Sequence, residues 1–263
     1  MKLVVNGERT FCYTNAREIV PDRDSIIFVH GSGLDHTVWT LAARHFARHG
    51  NNVIAVDLPG HGRSTGEPLD AIEAMADWLV ALMDALGVGT AAVVGHSLGS
   101  LVAMDCAARH PTRVRALAMV GTTVPMPVSD AILNAAEAND HAAFDMLTQW
   151  GYSKRHQYGG NRNSGIWMIG STLRLFERSR PGVLFSDMTA CNNYRAGIER
   201  AAKVSCPVLL VLGSEDRLTP VRSTQPLREA FVEPKVEILP GAGHTIMVEE
   251  PNALLDALHR VLN

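Results

Sequence analysis

Apolar residues along this chain fall into two alternating patterns. Short continuous apolar runs occur at residues 25–31 (SIIFVHG), 52–56 (NVIAV), 91–96 (AAVVGH), 114–122 (VRALAMVGT), 206–213 (CPVLLVLG) and 235–239 (KVEIL). Each is short enough to be a buried strand. Between them, apolar residues recur every three or four positions. In 70–87, Ile72, Met75, Leu79, Leu82 and Leu86 share one helical face, and Gly87 follows as a stop. Residues 36–50 and 98–111 read as helices ended by Gly50 and Pro111. The start differs: 3–14 (LVVNGERTFCYT) reads as a hairpin turned at Asn6-Gly7. This alternation predicts an α/β protein, with a mostly parallel sheet flanked by helices.

The rhythm breaks after Thr123. Residues 123–200 contain no convincing strand run. They read as four helices, near 130–139, 140–150, 166–179 and 181–194, with a Gly/Asn-rich loop (YSKRHQYGGNRNSG) at 152–165. Strand–helix alternation then resumes, with helices at 223–230 and 251–262. The expected organisation is a core of 1–122 and 201–263 interrupted by an all-helical insertion. In such sheets ligands bind beyond the carboxyl ends of the strands, where an insertion becomes a roof.

Composition narrows the function. With 46% hydrophobic residues a sizeable core is expected, and a net charge of −3 with no basic tract argues against nucleic acid as a partner. No run reaches the ~20 apolar residues of a membrane span, and the start lacks an apolar signal stretch. Cys12, Cys106, Cys191 and Cys206 show no CxxC spacing, as expected of free thiols in a cytoplasmic protein. His45 and His49 share a helix face, but no glutamate follows His45 as a zinc-protease helix would require, so no metal is expected there.

Two glycine turns compete for the chemistry. Gly31-Ser32-Gly33 follows a strand, and Asp57 ends the next one, as in a dinucleotide fold. His36, however, stands where the third glycine belongs. Gly95-His96-Ser97-Leu98-Gly99 is a G-x-S-x-G between a strand and a helix, a tight turn that presents its serine above the sheet. A serine nucleophile needs a base, and the base needs an acid to orient it. His244 lies in a glycine-flanked loop after one later strand and Asp216 just after another, with Glu215 as the second candidate acid. Asp57, in DLPGHGRS, reads as a brace for its loop, and Asp105 as a paired or solvated helix residue.

With these pieces in hand the sequence resembles the α/β-hydrolase superfamily over essentially its whole length, nearest to small bacterial esterases. The likeness is carried by FVHGSG, VDLPGHGRS, VGHSLGS, PVLLVLGSED and LPGAGHTIMVEEP. It implies an eight-stranded sheet, a helical cap at 123–200 after strand 6, and a Ser97–His244–Asp216 triad. It also implies an oxyanion hole from the backbone N–H groups of Ser32 and Leu98, with His30 bracing the loop. The expected activity is carboxylic-ester hydrolysis through an acyl-enzyme, acting on a small-molecule substrate without metal or cofactor. Three alternatives stay open: a carbon–carbon hydrolase of ring-fission products, a cofactor-free haloperoxidase or perhydrolase, and a ligand-binding protein on the same scaffold. Leu34-Asp35 and Thr245 stand where typical carbon–carbon hydrolases carry Pro-Gly and a tryptophan. Trp39, Met126, Trp150, Trp167 and Met168 are candidates for an apolar pocket; Arg195 is expected in a surface ion pair. Monomer and homodimer both stay open.

Overall fold

The computed structural model of the chain describes residues 1–160, 165 and 167–262. Eight strands form one sheet: β1 (Lys2–Val5), β2 (Glu8–Tyr13), β3 (Ser25–Val29), β4 (Asn52–Val56), β5 (Ala91–His96), β6 (Val114–Val120), β7 (Val208–Gly213) and β8 (Lys235–Leu239). Their spatial order is β1-β2-β4-β3-β5-β6-β7-β8. β1 and β2 form the antiparallel edge, and every pair from β4 to β8 is parallel. The Asn6-Gly7 turn has φ of 51° and 84°, the left-handed pair that a two-residue hairpin with right-twisted strands requires.

The continuous apolar runs follow from burial on both faces. β3, β4, β5 and β7 are buried at every position. Along β3, Ile27 and Val29 enter the core on one face, while Ile26 and Phe28 enter the core on the other. The first core is shared with α2 (Ile72–Ala85) and α3 (Leu98–Arg109), through Leu79, Leu82, Leu101 and Val102. The second is shared with α1 (Thr40–Arg48). Trp39 belongs to this second core, fully buried with its ring centroid 5.3 Å from that of Phe28. It is therefore a packing residue, a correction to its expected place in the pocket.

Between β6 and β7 lie six helices and no strand among the described residues. They are α4 (Asp130–Glu137), α5 (His141–Gly151), α6 (Lys154–Gln157), α7 (Met168–Arg178), α8 (Val183–Asn193) and α9 (Gly197–Ala201). Asp140 separates α4 from α5, its carboxylate accepting the Ala142 N–H at 2.9 Å. Ile166, the expected start of the third insertion helix, and positions 161–164 of the Gly/Asn-rich loop lie outside the described residues. Ile132, Leu147, Phe176, Leu184 and Met188 form a third apolar cluster, which reaches down to Leu34 of the core. The chain ends with α10 (Gln225–Ala230), α11 (Ile246–Glu249) and α12 (Pro251–Leu262). Leu254 and Leu258 of α12 join the second core. No helix among the described residues is long and apolar enough to cross a membrane.

Candidate active site

The turn after β5 puts Ser97 at φ 52° and ψ −121°, a strained conformation for a residue with a side chain. Two glycines make it possible. A Cβ on Gly95 would lie 2.0 Å from the Gly99 carbonyl oxygen, and one on Gly99 would lie 2.5 Å from the Val29 and His30 carbonyls. These neighbours are backbone and cannot swing aside. Gly95→Ala is therefore expected to cost more than about 3 kcal/mol, read as a lower urea midpoint or an insoluble product. The Ser97 N–H donates to the Val120 carbonyl at 3.0 Å, so the turn is fastened to the next strand.

His244 follows β8 in a loop held by the insertion. Its N–H and that of Thr245 both donate to the Gly151 carbonyl, at 2.9 and 3.1 Å. Glu249 closes the loop from the other side, accepting the Gly243 and Ser153 N–H groups while paired with His156 at 2.8 Å. The His244 Nδ1 lies 2.8 Å from Asp216 Oδ2. Asp216 Oδ1 accepts the N–H groups of Leu218 and Thr219 at 2.9 and 2.8 Å, and the Thr219 hydroxyl donates to Oδ2 at 2.6 Å. Burial alone would raise the Asp216 carboxyl, but His244 and the Thr219 donors outweigh it and hold the group at about 2. Glu215, the second candidate acid, is exposed and anchored through its backbone to Ala242.

Ser97, His244 and Ser32 line one cavity of about 210 Å³. Among the described residues the Ser97 hydroxyl makes no hydrogen bond, and the N–H groups of Ser32 and Leu98 have no acceptor. Gly31 packs onto the turn, since a Cβ there would sit 3.1 Å from that of Ser97. His30 braces this loop, with Nδ1 2.8 Å from the Gly31 carbonyl and Nε2 accepting the Leu58 N–H at 3.2 Å. Burial lowers His30 to about 4, so the ring is neutral and its proton sits on Nδ1. His96 is likewise neutral, pushed well down by burial, and contacts the His244 carbonyl.

Of the apolar candidates, Met126 and Trp150 line this cavity, with Ile132, Phe176 and Met188 beside them. Two others are corrected. Trp167 is 69% exposed, its ring lying over Gly170, and Met168 is buried outside the cavity lining. Arg195 makes a hydrogen bond to the Asn192 carbonyl. Asp57 braces its loop as expected, accepting the His36 and Arg63 N–H groups. With Asp35 and His36 it brings three potential metal-ligand atoms within 4.8 Å, but its two oxygens already carry these bonds. Asp105 is fully buried and held by Arg109 and Tyr194. His45 meets His259 at 2.7 Å.

Thr219 and Glu249 are site residues that the sequence reading missed. An Asp with a Thr three positions on is a legible turn signal. Glu249 carried no comparable signal, because its partners Ser153 and His156 are distant in the chain.

Residues 26–257 match the model of a family described as "Alpha/beta hydrolase family". The chain is 30% identical over 243 residues to a pimeloyl-[acyl-carrier protein] methyl ester esterase of Chromobacterium violaceum, covering 89% of this chain and 92% of that protein. It is 24% identical over 221 residues to an (E)-2-((N-methylformamido)methylene)succinate hydrolase of Acinetobacter baylyi, covering 81% and 79%. The fold is also that of an enol-lactonase from Burkholderia xenovorans, with a TM-score of 0.86 at 19% identity over 100% of this chain and 99% of that one.

Proposed function

The chain belongs to the alpha/beta hydrolase family, and from that premise we propose that it is a serine-dependent carboxylic-ester hydrolase. One observation carries the reading: His244 is oriented by Asp216 at 2.8 Å, and it shares a cavity with a serine held at a left-handed turn. The Asp216 contact fixes the His244 proton on Nδ1 and leaves Nε2 free to act as base. In this mechanism Nε2 takes the Ser97 proton as the oxygen attacks the ester carbonyl. The oxyanion accepts the N–H groups of Ser32 and Leu98, the latter at the N-terminus of α3. The imidazolium then protonates the leaving alcohol. Water, deprotonated by the same nitrogen, cleaves the acyl-enzyme and restores Ser97. Serine–base contacts often tighten only once substrate binds, which fits the free hydroxyl here.

The insertion of 123–200 acts as a cap over this site and sets acyl preference through Met126, Trp150 and Phe176. The substrate is a small molecule, and no step needs a metal or cofactor. All four cysteines are unpaired, which suits a reducing cytoplasm.

A panel of p-nitrophenyl esters of increasing acyl length tests the proposal. The cavity is smaller than a drug-sized site, so kcat/KM is expected to peak at acyl chains of about two to eight carbons and fall beyond. A lactone, a ring-fission product and a peroxide–halide assay belong in the same panel. Turnover confined to either of the last two would contradict the ester reading.

A further inference from the structure

Beyond the triad, the molecule holds a buried charge pair that the proposed mechanism does not use. We propose that Asp187 and His61 form a positioning unit that sets the oxyanion loop, tying its geometry to the helical insertion. This deepens the ester-hydrolase reading and rests on Ser32 being an oxyanion donor.

Asp187 lies on α8 of the insertion and is fully buried. Its Oδ2 accepts the Gly33 N–H at 2.8 Å and faces His61 Nε2 at 2.9 Å. The other His61 nitrogen, Nδ1, lies 2.9 Å from the Pro59 carbonyl. The Pro59 carbonyl can only accept, so Nδ1 carries a proton, and a carboxylate at Nε2 is best matched by a second proton, which makes His61 an imidazolium. In that state Asp187 and His61 form an ion pair sealed from water. Such a pair is costly to leave half-made, which fixes the distance between α8 and the loop after β4.

The consequence for Ser32 follows from peptide geometry. The Ser32 N–H shares a rigid plane with the Gly31 carbonyl. That carbonyl is held by His30 Nδ1 and by the Leu34 N–H at 3.2 Å. The next plane, which carries the Gly33 N–H, is held by Asp187. Both planes flanking Ser32 are thus fixed, one by a neutral histidine and the other by a carboxylate. The His30 and His61 rings lie 4.9 Å apart, and the charge on His61 helps keep His30 neutral. Gly33 is held from the insertion as well, since a Cβ there would meet Phe176 and Leu184 at 3.1 Å.

Burial alone would lower His61, yet the charge and hydrogen bond of Asp187, with help from the Pro59 carbonyl and Asp57, leave it raised. The titratable groups that interact with this pair are Asp57, His30 and Cys191. With a raised folded value, the contribution of His61 is complete below about pH 6.5 and is lost as pH rises through that folded value.

The test combines kinetics with imidazole NMR. In Asp187→Ala, kcat for an activated ester is expected to fall about 10- to 100-fold with KM nearly unchanged, because a loosened donor weakens the transition state more than the ground state. Asp187→Asn keeps an oxygen for Gly33 and is expected to restore most of kcat. In that variant the His61 ring should titrate lower than in the wild type. If Asp187→Ala does not fold, the wild-type NMR still decides: a singly protonated His61 at neutral pH overturns the proposal. So does wild-type kcat in a folded Asp187→Ala, or a loss confined to KM. Wild-type kcat in Asp187→Ala beside an inactive Ser97→Ala overturns the positioning role alone. An active Ser97→Ala removes the serine reading and this proposal with it.

Discussion

Replacing Ser97 with alanine is expected to lower kcat for activated esters by about 10⁴-fold or more while leaving the far-ultraviolet circular dichroism unchanged. The hydroxyl is the only group removed, and among the described residues it makes no hydrogen bond that folding would miss. The backbone bonds of the turn survive: the Ser97 N–H to Val120, and its carbonyl to the Ser100 N–H at 2.8 Å. The strain at φ 52° is carried by the fixed contacts of Gly95 and Gly99, which alanine does not touch. Stability should therefore change by less than about 1 kcal/mol. A large kinetic loss on an intact fold separates a nucleophile from a structural serine.

Asp216→Asn is expected to lower kcat by about 10³- to 10⁴-fold near neutral pH. Asp216 Oδ1 accepts two backbone N–H groups, so the asparagine would keep its oxygen there and turn its NH2 toward His244. That NH2 donates to Nδ1 and forces the imidazole proton onto Nε2, where it blocks the base. The same change alters stability. Asp216 is held at about 2, below its unfolded value, so its contribution of about 2 kcal/mol is complete above about pH 4 and is lost as pH falls toward 2. Urea unfolding of Asp216→Asn should lack that acid dependence. Glu215→Gln, at the exposed neighbour, is expected to stay within about twofold of wild type, because nothing at the site touches its carboxylate. A dead Glu215→Gln would reverse the assignment of the acid.

The sequence disclosed the parts of this molecule whose signals are local. Apolar runs marked the central parallel strands because β3, β4, β5 and β7 are buried on both faces, and Asn6-Gly7 marked the hairpin because two consecutive left-handed residues are rarely tolerated otherwise. The grouping of Ser97, Asp216 and His244 at one end of the sheet was legible because each follows a strand, Ser97 and His244 with glycines beside them. The short helices α6, α9 and α11 were not, since four or five residues cannot display a helical period. Nor was the division of the tryptophans. Trp39, Trp150 and Trp167 look alike in sequence, yet one packs under the sheet, one lines the cavity and one is exposed. The roles of His61, Asp187 and Glu249 depend on pairings across the boundary between core and insertion. Long-range contacts of that kind leave no periodic trace.

The central claim is that Ser97 is the nucleophile, and covalent labelling with a p-nitrophenyl phosphonate, read by intact mass and peptide mapping, tests it most directly. The expected result is a single phosphonyl adduct at Ser97, loss of esterase activity in step with labelling, and no adduct on Ser97→Ala. An adduct on another residue that accompanies inactivation, or esterase activity that persists after Ser97 is fully labelled, would contradict the account.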